Sequence, residues 1–136
     1  MNIYIDENFP HKLAQGLNIL QQLINNKYKE PISVLSNKLT FGEGALDEDW
    51  IPLVGEEKGC AFTQDISIQH TRHQKALCDQ YKLGMFFFRP PSKSGFHNWD
   101  LVKLIIKHWE EIIKLTCETK RPFAFRISSR GEIKQL

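Results

Sequence analysis

The sequence predicts an α/β protein with a mainly parallel sheet, helices on both faces and a C-terminal hairpin. Four short, continuous apolar runs alternate with amphipathic helical patterns, whereas residues 123–136 contain alternating apolar and polar side chains. Strands that are apolar on both sides are typical of parallel sheets, which need helical crossovers. With 136 residues, 41% hydrophobic and 25% charged, the chain is predicted to form one domain over residues 1–136.

The first strand is predicted at residues 3–5, where a short apolar run ends in polar residues. The amphipathic pattern that follows predicts a helix, with Asn8 as its N-cap and Pro10 in its first turn, where a missing amide costs nothing. A second strand is predicted at residues 32–35. The polar, glycine-containing stretch after it is interpreted as a loop.

The next helix is predicted to open with the acidic residues 47–49, which the positive end of a helix dipole favours. Because proline is tolerated in the first turn, Pro52 places the helix cap within residues 47–49. Gly59 is predicted to end this helix. The apolar run at residues 60–63 follows as the third strand.

The last third of the chain predicts two more helices, a strand and the hairpin. A helix over residues 71–83 is expected to be closed by Gly84, and the apolar run at residues 85–88 is interpreted as a core strand. The longest helix is predicted from about Trp99 to Glu118, covering one face of the sheet. Alternation from residue 123 onward predicts the terminal hairpin.

Several classes of protein are excluded by composition. The longest apolar pattern, residues 101–115, contains too many charged residues to cross a membrane. The N-terminus carries acidic residues where a signal peptide needs basic ones, which predicts a cytoplasmic protein. The spacing of Cys60, Cys78 and Cys117 fits neither a disulfide framework nor a metal knuckle, so buried, reduced thiols are predicted.

Charge is distributed unevenly, although the formal net charge is only +2. Residues 1–65 hold five Lys or Arg and ten Asp or Glu, whereas residues 66–136 hold 13 and six. Such a division is expected where carboxylates gather a cation and basic side chains meet a polyanion, and ordinary charged surfaces also produce it.

Carboxylates at the ends of the predicted strands indicate a metal site. Asp6 follows the first strand, Asp65 follows the third, and Asp47 or Asp49 opens the helix between them. Ligands of parallel sheets bind beyond the carboxyl ends of the strands, and clustered carboxylates repel one another unless they share a cation. An oxygen-only site suits Mg²⁺ or Mn²⁺ with a substrate phosphate. Each residue alone is also a common turn or cap residue, so the prediction depends on their coincidence.

Three stretches carry a family signal: IYIDENFPHKLAQGL, LDEDWIPLVGEEKGCAFTQD and RPFAFRISSRGEIKQL. In this order they resemble the PIN-like domains, particularly the small toxin-like proteins related to VapC ribonucleases. The resemblance implies that Asp6, Asp47 and Asp65 hold Mg²⁺ or Mn²⁺, with Asp49 as a weaker substitute for Asp47. Thr63 matches the hydroxyl residue that orients the last of these carboxylates.

The resemblance also implies a function: a metal-dependent endoribonuclease that hydrolyses RNA phosphodiester bonds as the toxin of a toxin–antitoxin pair. A protein antitoxin and a homodimer are the implied protein partners. Glu7 and Asn8 are assigned as neighbours that support the metal ligands. Six basic residues of the second half are candidate contacts to the RNA backbone: Arg72, Lys75, Arg89, Lys93, Arg126 and Arg130.

Two alternatives remain open. Related sequences often carry a further Asp two residues beyond the last ligand, where this chain has Ser67; this departure favours a catalytically inactive PIN-like module that acts through protein or RNA contacts. A flavodoxin-like receiver or nucleotide-binding domain would also cluster carboxylates after strands, but the chain lacks a glycine-rich phosphate loop.

The histidines give weaker indications of a functional site than the carboxylates do. His70 and His73 share a helical spacing without the accompanying ligands of a zinc site. His11 is a candidate for the rim of the site, and His97 and His108 are interpreted as structural.

Overall fold

The computed structural model describes residues 1–66, 68 and 71–136, so the predictions for Ser67 and His70 lie outside the described residues. Six strands form one sheet: β1 (Asn2–Ile5), β2 (Ser33–Ser36), β3 (Cys60–Thr63), β4 (Gly84–Phe88), β5 (Phe123–Ile127) and β6 (Ile133–Gln135). The strand order is β2-β1-β3-β4-β5-β6, parallel except for β6, which pairs antiparallel with β5. The mainly parallel α/β sheet and the C-terminal hairpin are therefore confirmed.

Six helices are present in the described part of the chain: α1 (Leu13–Ile24), α2 (Asn37–Phe41), α3 (Asp47–Glu56), α4 (Arg72–Gln80), α5 (Asn98–Lys107) and α6 (Trp109–Glu118). Residues of α1, α5 and α6 form one apolar core with one face of the sheet, and residues of α3 and α4 form a second core with the other face. Within the described ranges, no helix combines the length and the apolar character that a bilayer crossing requires.

The central strand β4 explains why both faces are covered. All five of its residues are buried, with Phe86 and Phe88 in one core and Met85 and Phe87 in the other. Such a strand is stable only when helices shield both of its faces. The prediction that this aromatic run is core is confirmed.

The start of α1 differs from the prediction, because the helix begins at Leu13 and Asn8 does not cap it. Residues 6–12 form turns instead, in which the amide of Phe9 donates to the carbonyl of Asp6 (3.2 Å) and the amide of Leu13 to that of Pro10 (2.9 Å). The Phe9 ring is buried at the end of the sheet. Because the buried Phe9 ring fixes the course of these turns, the chain becomes helical only at residue 13.

The predicted acidic opening of α3 at residues 47–49 is confirmed, but the predicted cap and the predicted place of Pro52 are wrong. The N-cap of α3 is Leu46, outside residues 47–49, and Pro52 is the sixth helical residue rather than part of the first turn. The amides of Asp49 and Trp50 both donate to the Leu46 carbonyl, which closes the first turn before the proline is reached. Pro52 therefore removes only the amide that would bond to the carbonyl four residues earlier.

Two glycines predicted to end helices have another role. The left-handed residues after α3 and α4 are Lys58 and Lys82, with φ of 56° and 55°. A Cβ on Gly59 would lie 3.0 Å from a backbone oxygen of β1, and one on Gly84 would clash with the ring of Phe123. These glycines are needed for close packing, which the sequence signal does not distinguish from a helix cap.

Three further predictions need correction. The helix predicted over residues 99–118 is broken at His108, where the backbone has φ −102° and ψ 8°. The stretch after β2, predicted as a loop, contains α2, whose N-cap Ser36 accepts a hydrogen bond from the Leu39 amide at 3.3 Å. Cys60 and Cys78 are buried as predicted, but Cys117 is exposed.

Candidate functional site

The carboxyl ends of β2, β1 and β3 open side by side on one edge of the sheet. Asp6 directly follows β1, Asn37 directly follows β2, and Asp65 lies two residues beyond β3, while Asp47 is the first residue of α3. These four side chains border one cavity of about 140 Å³, here called the acidic cavity. The chain topology therefore places the three predicted carboxylates, distant in sequence, around a shared space.

Asp6 is held by donors on both oxygens. Its Oδ1 accepts from the Glu7 amide at 2.7 Å, and its Oδ2 accepts from the Thr63 hydroxyl at 2.9 Å. Burial raises the pKa of Asp6, against the opposing effect of the Thr63 and Glu7 hydrogen bonds, and repulsion from Glu7 and Asp47 raises it further. A buried carboxylate next to another is the electrostatic situation that a bound cation relieves.

Thr63 connects two of the predicted ligands. Its hydroxyl donates to Asp6 and also accepts from the backbone amide of Asp65 at 3.0 Å. The side chain is only 1% exposed, so one buried hydroxyl fixes the end of β1 relative to the end of β3. The predicted orienting role thus acts on the backbone of Asp65 and on the carboxylate of Asp6.

Asp47 is oriented from two sides, since its oxygens accept hydrogen bonds from Trp50 Nε1 at 3.0 Å and from Gln74 Nε2 at 3.1 Å. The neighbouring Asp49, the other candidate for this position, is exposed and does not border the acidic cavity. The geometry therefore favours Asp47 over Asp49.

Asn37 is a site residue that the sequence prediction missed. It is 8% exposed, and its buried Oδ1 has no hydrogen-bond donor in the described structure. An unpaired amide oxygen beside carboxylates provides a further hard ligand for a cation, since a buried acceptor without a partner is costly. The same rule that identified Asp6, a polar residue directly after a parallel strand, applies to Asn37 after β2.

The donor set fits Mg²⁺ or Mn²⁺ in chemistry. Carboxylate and amide oxygens are what these hard ions prefer, and ligating carboxylates are usually held by further hydrogen bonds, as Asp6 and Asp47 are here. Within residues 1–66, 68 and 71–136, no three His, Cys, Asp or Glu side chains are grouped closely enough to form a complete cage. Mg²⁺ does not need one, because it commonly binds through one or two carboxylates and retains water.

A larger cavity of about 470 Å³ adjoins the acidic cavity and shares Asp6, Glu7, Asn8 and Lys38 with it. Glu7 Oε2 accepts from the Gly44 amide at 3.2 Å, which ties the loop after α2 to the end of β1. His11 also borders this larger space. The two cavities together give an open approach to the carboxylates.

The six predicted RNA contacts are scattered relative to the acidic cavity, and none of them borders it. Arg72, Arg89 and Lys93 are exposed, and Arg126 is half-buried on β5. Lys75 pairs with Asp79 at 2.8 Å.

Arg130 borders a separate cavity of about 420 Å³ at the ends of β4 and β5. The predictions assigned no binding role to four other basic side chains on that cavity: His97, Lys103, Lys107 and His108.

Comparison with known proteins gives one match. A family model described as "PIN like domain" matches residues 1–90, which include every residue that borders the acidic cavity. No curated protein and no solved structure matched the chain.

Proposed function

The chain belongs to the PIN-like domain family, and we propose that it is a Mg²⁺- or Mn²⁺-dependent endoribonuclease whose active site is the acidic cavity. One observation carries the proposal: Asp6, Asp47 and Asp65 border the same cavity together with an unpaired amide oxygen of Asn37. A fold that gathers carboxylate and amide oxygens around one cavity at the carboxyl ends of parallel strands is suited to hold a cation and a phosphate.

In the proposed hydrolysis, a water oxygen bonds to phosphorus and the P–O3′ bond breaks, which leaves a 5′-phosphate and a 3′-hydroxyl. A bound divalent ion supplies a more acidic water and neutralises charge on the phosphate. Asp6 and Asp47 would hold the ion, with Asp65 and Asn37 completing the oxygen set. Thr63, Trp50 and Gln74 keep the carboxylates oriented through the hydrogen bonds described above.

Lys38 is placed to contact the substrate. It borders both the acidic cavity and the larger adjoining cavity, and its side chain is 45% exposed. Its ammonium pairs only loosely with Glu43, at 3.9 Å. An exposed cation at the mouth of an acidic site gives a phosphodiester a favourable contact on entry.

The test is cleavage of a labelled single-stranded RNA by the purified protein, with Mg²⁺ or Mn²⁺ and with EDTA. We expect Asp6→Asn and Asp47→Asn to lower the cleavage rate at least about 100-fold, since each removes a charged ligand of the cation that neutralises the transition state. Asp49→Asn is the matched control, because it removes the same charge from an exposed position outside the cavity, and its rate should stay within about twofold. Equal cleavage by all three variants would refute the proposal.

A catalytically inactive binding module is the second candidate. It is favoured by the absence of a complete three-residue cage in the described residues and by Asp47 already accepting two hydrogen bonds. Calorimetric titration with MnCl₂ separates the two candidates. Binding that Asp6→Asn abolishes supports the nuclease, whereas no heat at millimolar Mn²⁺ supports the inactive module.

The proposed biological role is that of a toxin restrained by a protein antitoxin, and the chain is proposed to act as a homodimer in the cytoplasm. Expression of the chain alone should arrest growth, and Asp6→Asn should relieve the arrest. Coexpression with the product of an adjacent small gene should restore growth to the wild-type protein.

A further inference from the structure

The cavity at the ends of β4 and β5, here called the basic cavity, lies at the same edge of the sheet as the acidic cavity. One wall comes from the segment after β4, a second from the turn after β5, and the third from α5 with His108. Its lining runs from Pro91 to Arg130, so it lies outside residues 1–90, which match the family model. The site therefore belongs to the part of the chain for which no comparison assigns a role.

The charge of the basic cavity is strongly one-sided. Lys103, Lys107 and Arg130 border it with a single carboxylate, that of Asp100. All three cationic residues are exposed, and none has an ion-pair partner within 4 Å among the described residues. Three unneutralised cations around one concave surface create a positive potential that attracts anions.

The floor and the histidines of the basic cavity add further features of a nucleic-acid site. Phe96 and Leu104 supply apolar surface beneath the basic rim, and aromatic surface next to cations is what stacked bases use in single-strand binding sites. His108 is held in place: its Nδ1 lies 3.8 Å from Glu111, and a Cβ on Gly131 would lie 2.5 Å from its Nε2. The break between α5 and α6 thus directs the His108 ring toward this cavity. From the sequence, His108 was interpreted as structural.

The distance between the basic cavity and the acidic cavity suits one nucleic-acid strand that reaches both. β1 and β5 are separated by three strand spacings in the order β1-β3-β4-β5, which is about 14 Å at roughly 4.8 Å per spacing. A few nucleotides of extended chain cover this distance along the sheet edge. We propose that the basic cavity binds the phosphodiester backbone of a nucleic-acid strand, and, resting on the proposed nuclease function, that the same strand reaches the acidic cavity.

The test measures binding without cleavage. A 5′-fluorescein-labelled 12-nucleotide oligouridylate is titrated with the protein in EDTA, and the fluorescence anisotropy is followed from 50 to 300 mM NaCl. In the triple variant Lys103→Gln, Lys107→Gln, Arg130→Gln, the slope of log K against log salt should fall in magnitude by about 2, since each single-strand phosphate contact contributes about 0.7. At 50 mM NaCl the affinity should fall at least about tenfold.

The matched control is Lys27→Gln, Lys29→Gln, Lys120→Gln. It removes the same charge from exposed side chains near the amino ends of β2 and β5, at the opposite edge of the sheet. Its slope should change by less than about 0.5. Equal losses in the two triple variants, or no loss in either, would overturn the inference.

The two proposals fail in different ways. Salt-dependent binding that needs the basic cavity, without any cleavage in Mg²⁺ or Mn²⁺, supports the basic cavity and rejects the nuclease. Cleavage that needs Asp6, with oligouridylate binding unaffected in the basic-cavity variant, supports the nuclease and rejects the basic cavity. Thermal melts of both triple variants check that folding is unchanged, as exposed substitutions predict.

Discussion

At the residue scale, the candidate site depends on single hydrogen bonds between elements. The Thr63 hydroxyl serves Asp6 and the Asp65 amide together, so removing it affects two predicted ligands at once. In Thr63→Val, the partly buried Asp65 amide and a carboxylate oxygen of Asp6 lose a partner, and the free energy of unfolding should fall by about 1 kcal/mol or more. Calorimetry should also show weaker Mn²⁺ binding than in the wild type.

Thr63→Ser is the control for this prediction, since it retains the hydroxyl and loses only a methyl group. It should bind Mn²⁺ like the wild type. Unchanged Mn²⁺ affinity in Thr63→Val would show that the hydroxyl does not organise the ligands.

Tyr4 provides a pH-dependent prediction away from the acidic cavity. Its hydroxyl donates to Glu57 Oε2 at 2.6 Å, and burial, followed by this hydrogen bond, raises the pKa of Tyr4 to about 12. The unfolded chain loses this proton near pH 10, so stability is complete below pH 10 and falls as the pH rises from 10 to 12. A two-unit shift corresponds to at most about 2–3 kcal/mol over that range, and solvent around the partly buried hydroxyl lowers this value.

The measurement compares wild type with Tyr4→Phe in urea unfolding from pH 9 to 12. The wild type should lose more stability than the variant over this range, and the difference in their 295 nm absorbance titrations should have its midpoint near 12. A difference midpoint near 10 would contradict the prediction.

A site residue could be predicted from the sequence where its position depends on a local strand pattern alone. Asp6 and Asp65 were recognisable because they follow apolar strand patterns directly or nearly so. The choice between Asp47 and Asp49 was not, because it depends on where α3 begins, and two residues rotate a side chain about 200° around a helix. Asn37 was missed because the second strand was predicted to end at residue 35, whereas β2 ends at Ser36.

At the element scale, close packing rather than turn geometry explains the glycines at strand starts. Gly84 begins β4 and lies beside the ring of Phe123. A Cβ on Gly84 would lie 2.8 Å from Cys60 Sγ. Gly84→Ala should therefore destabilise the protein by about 2–4 kcal/mol, because neither neighbour has room to move in the core.

Gly16→Ala is the matched control, since the same change in α1 meets no atom within 4 Å. It should raise the free energy of unfolding by about 0.5–1 kcal/mol, because alanine favours a helix over glycine. Chemical denaturation of both variants measures the difference. Equal effects of the two substitutions would show that packing at Gly84 is not limiting.

The helix predicted over residues 99–118, which is observed as α5 and α6, is a second example at the element scale. Apolar positions 101, 105, 109 and 112 are all buried against one core, so the periodic pattern continues through the break at His108. At this break the backbone of Gly131 lies close against the His108 ring. That contact joins residues 23 positions apart, and a local pattern holds no information on it.

At the scale of the whole molecule, the acidic first half and the basic second half of the chain place their charges at different positions along one sheet edge. The acidic cavity lies at the ends of β2, β1 and β3, and the basic cavity at those of β4 and β5. The parallel topology causes this, because the first half of the chain builds one side of the sheet and the second half builds the other.

The carboxylates that share the acidic cavity predict a response of the whole fold to divalent ions. If 10 mM Mn²⁺ binds the folded state with a dissociation constant near 1 mM, the free energy of unfolding rises by about 1.4 kcal/mol, or roughly 4–6 °C in Tm. Thermal melts with MnCl₂ and with EDTA measure the shift. Asp6→Asn should abolish it and Asp49→Asn should retain it, whereas an equal shift in both variants would point to ions bound elsewhere.

The position of β4 has a consequence for a fragment limited to the residues that the family model matches. Residues 1–90 end just after β4, so cutting there strips away β5 and the two helices that shield one side of it. The outermost strand of such a fragment would read Gly-Met-Phe-Phe-Phe, an uncharged, aromatic template for pairing with other molecules. The remaining 46 residues thus cover this edge of β4 in the intact protein, besides carrying a cavity of their own.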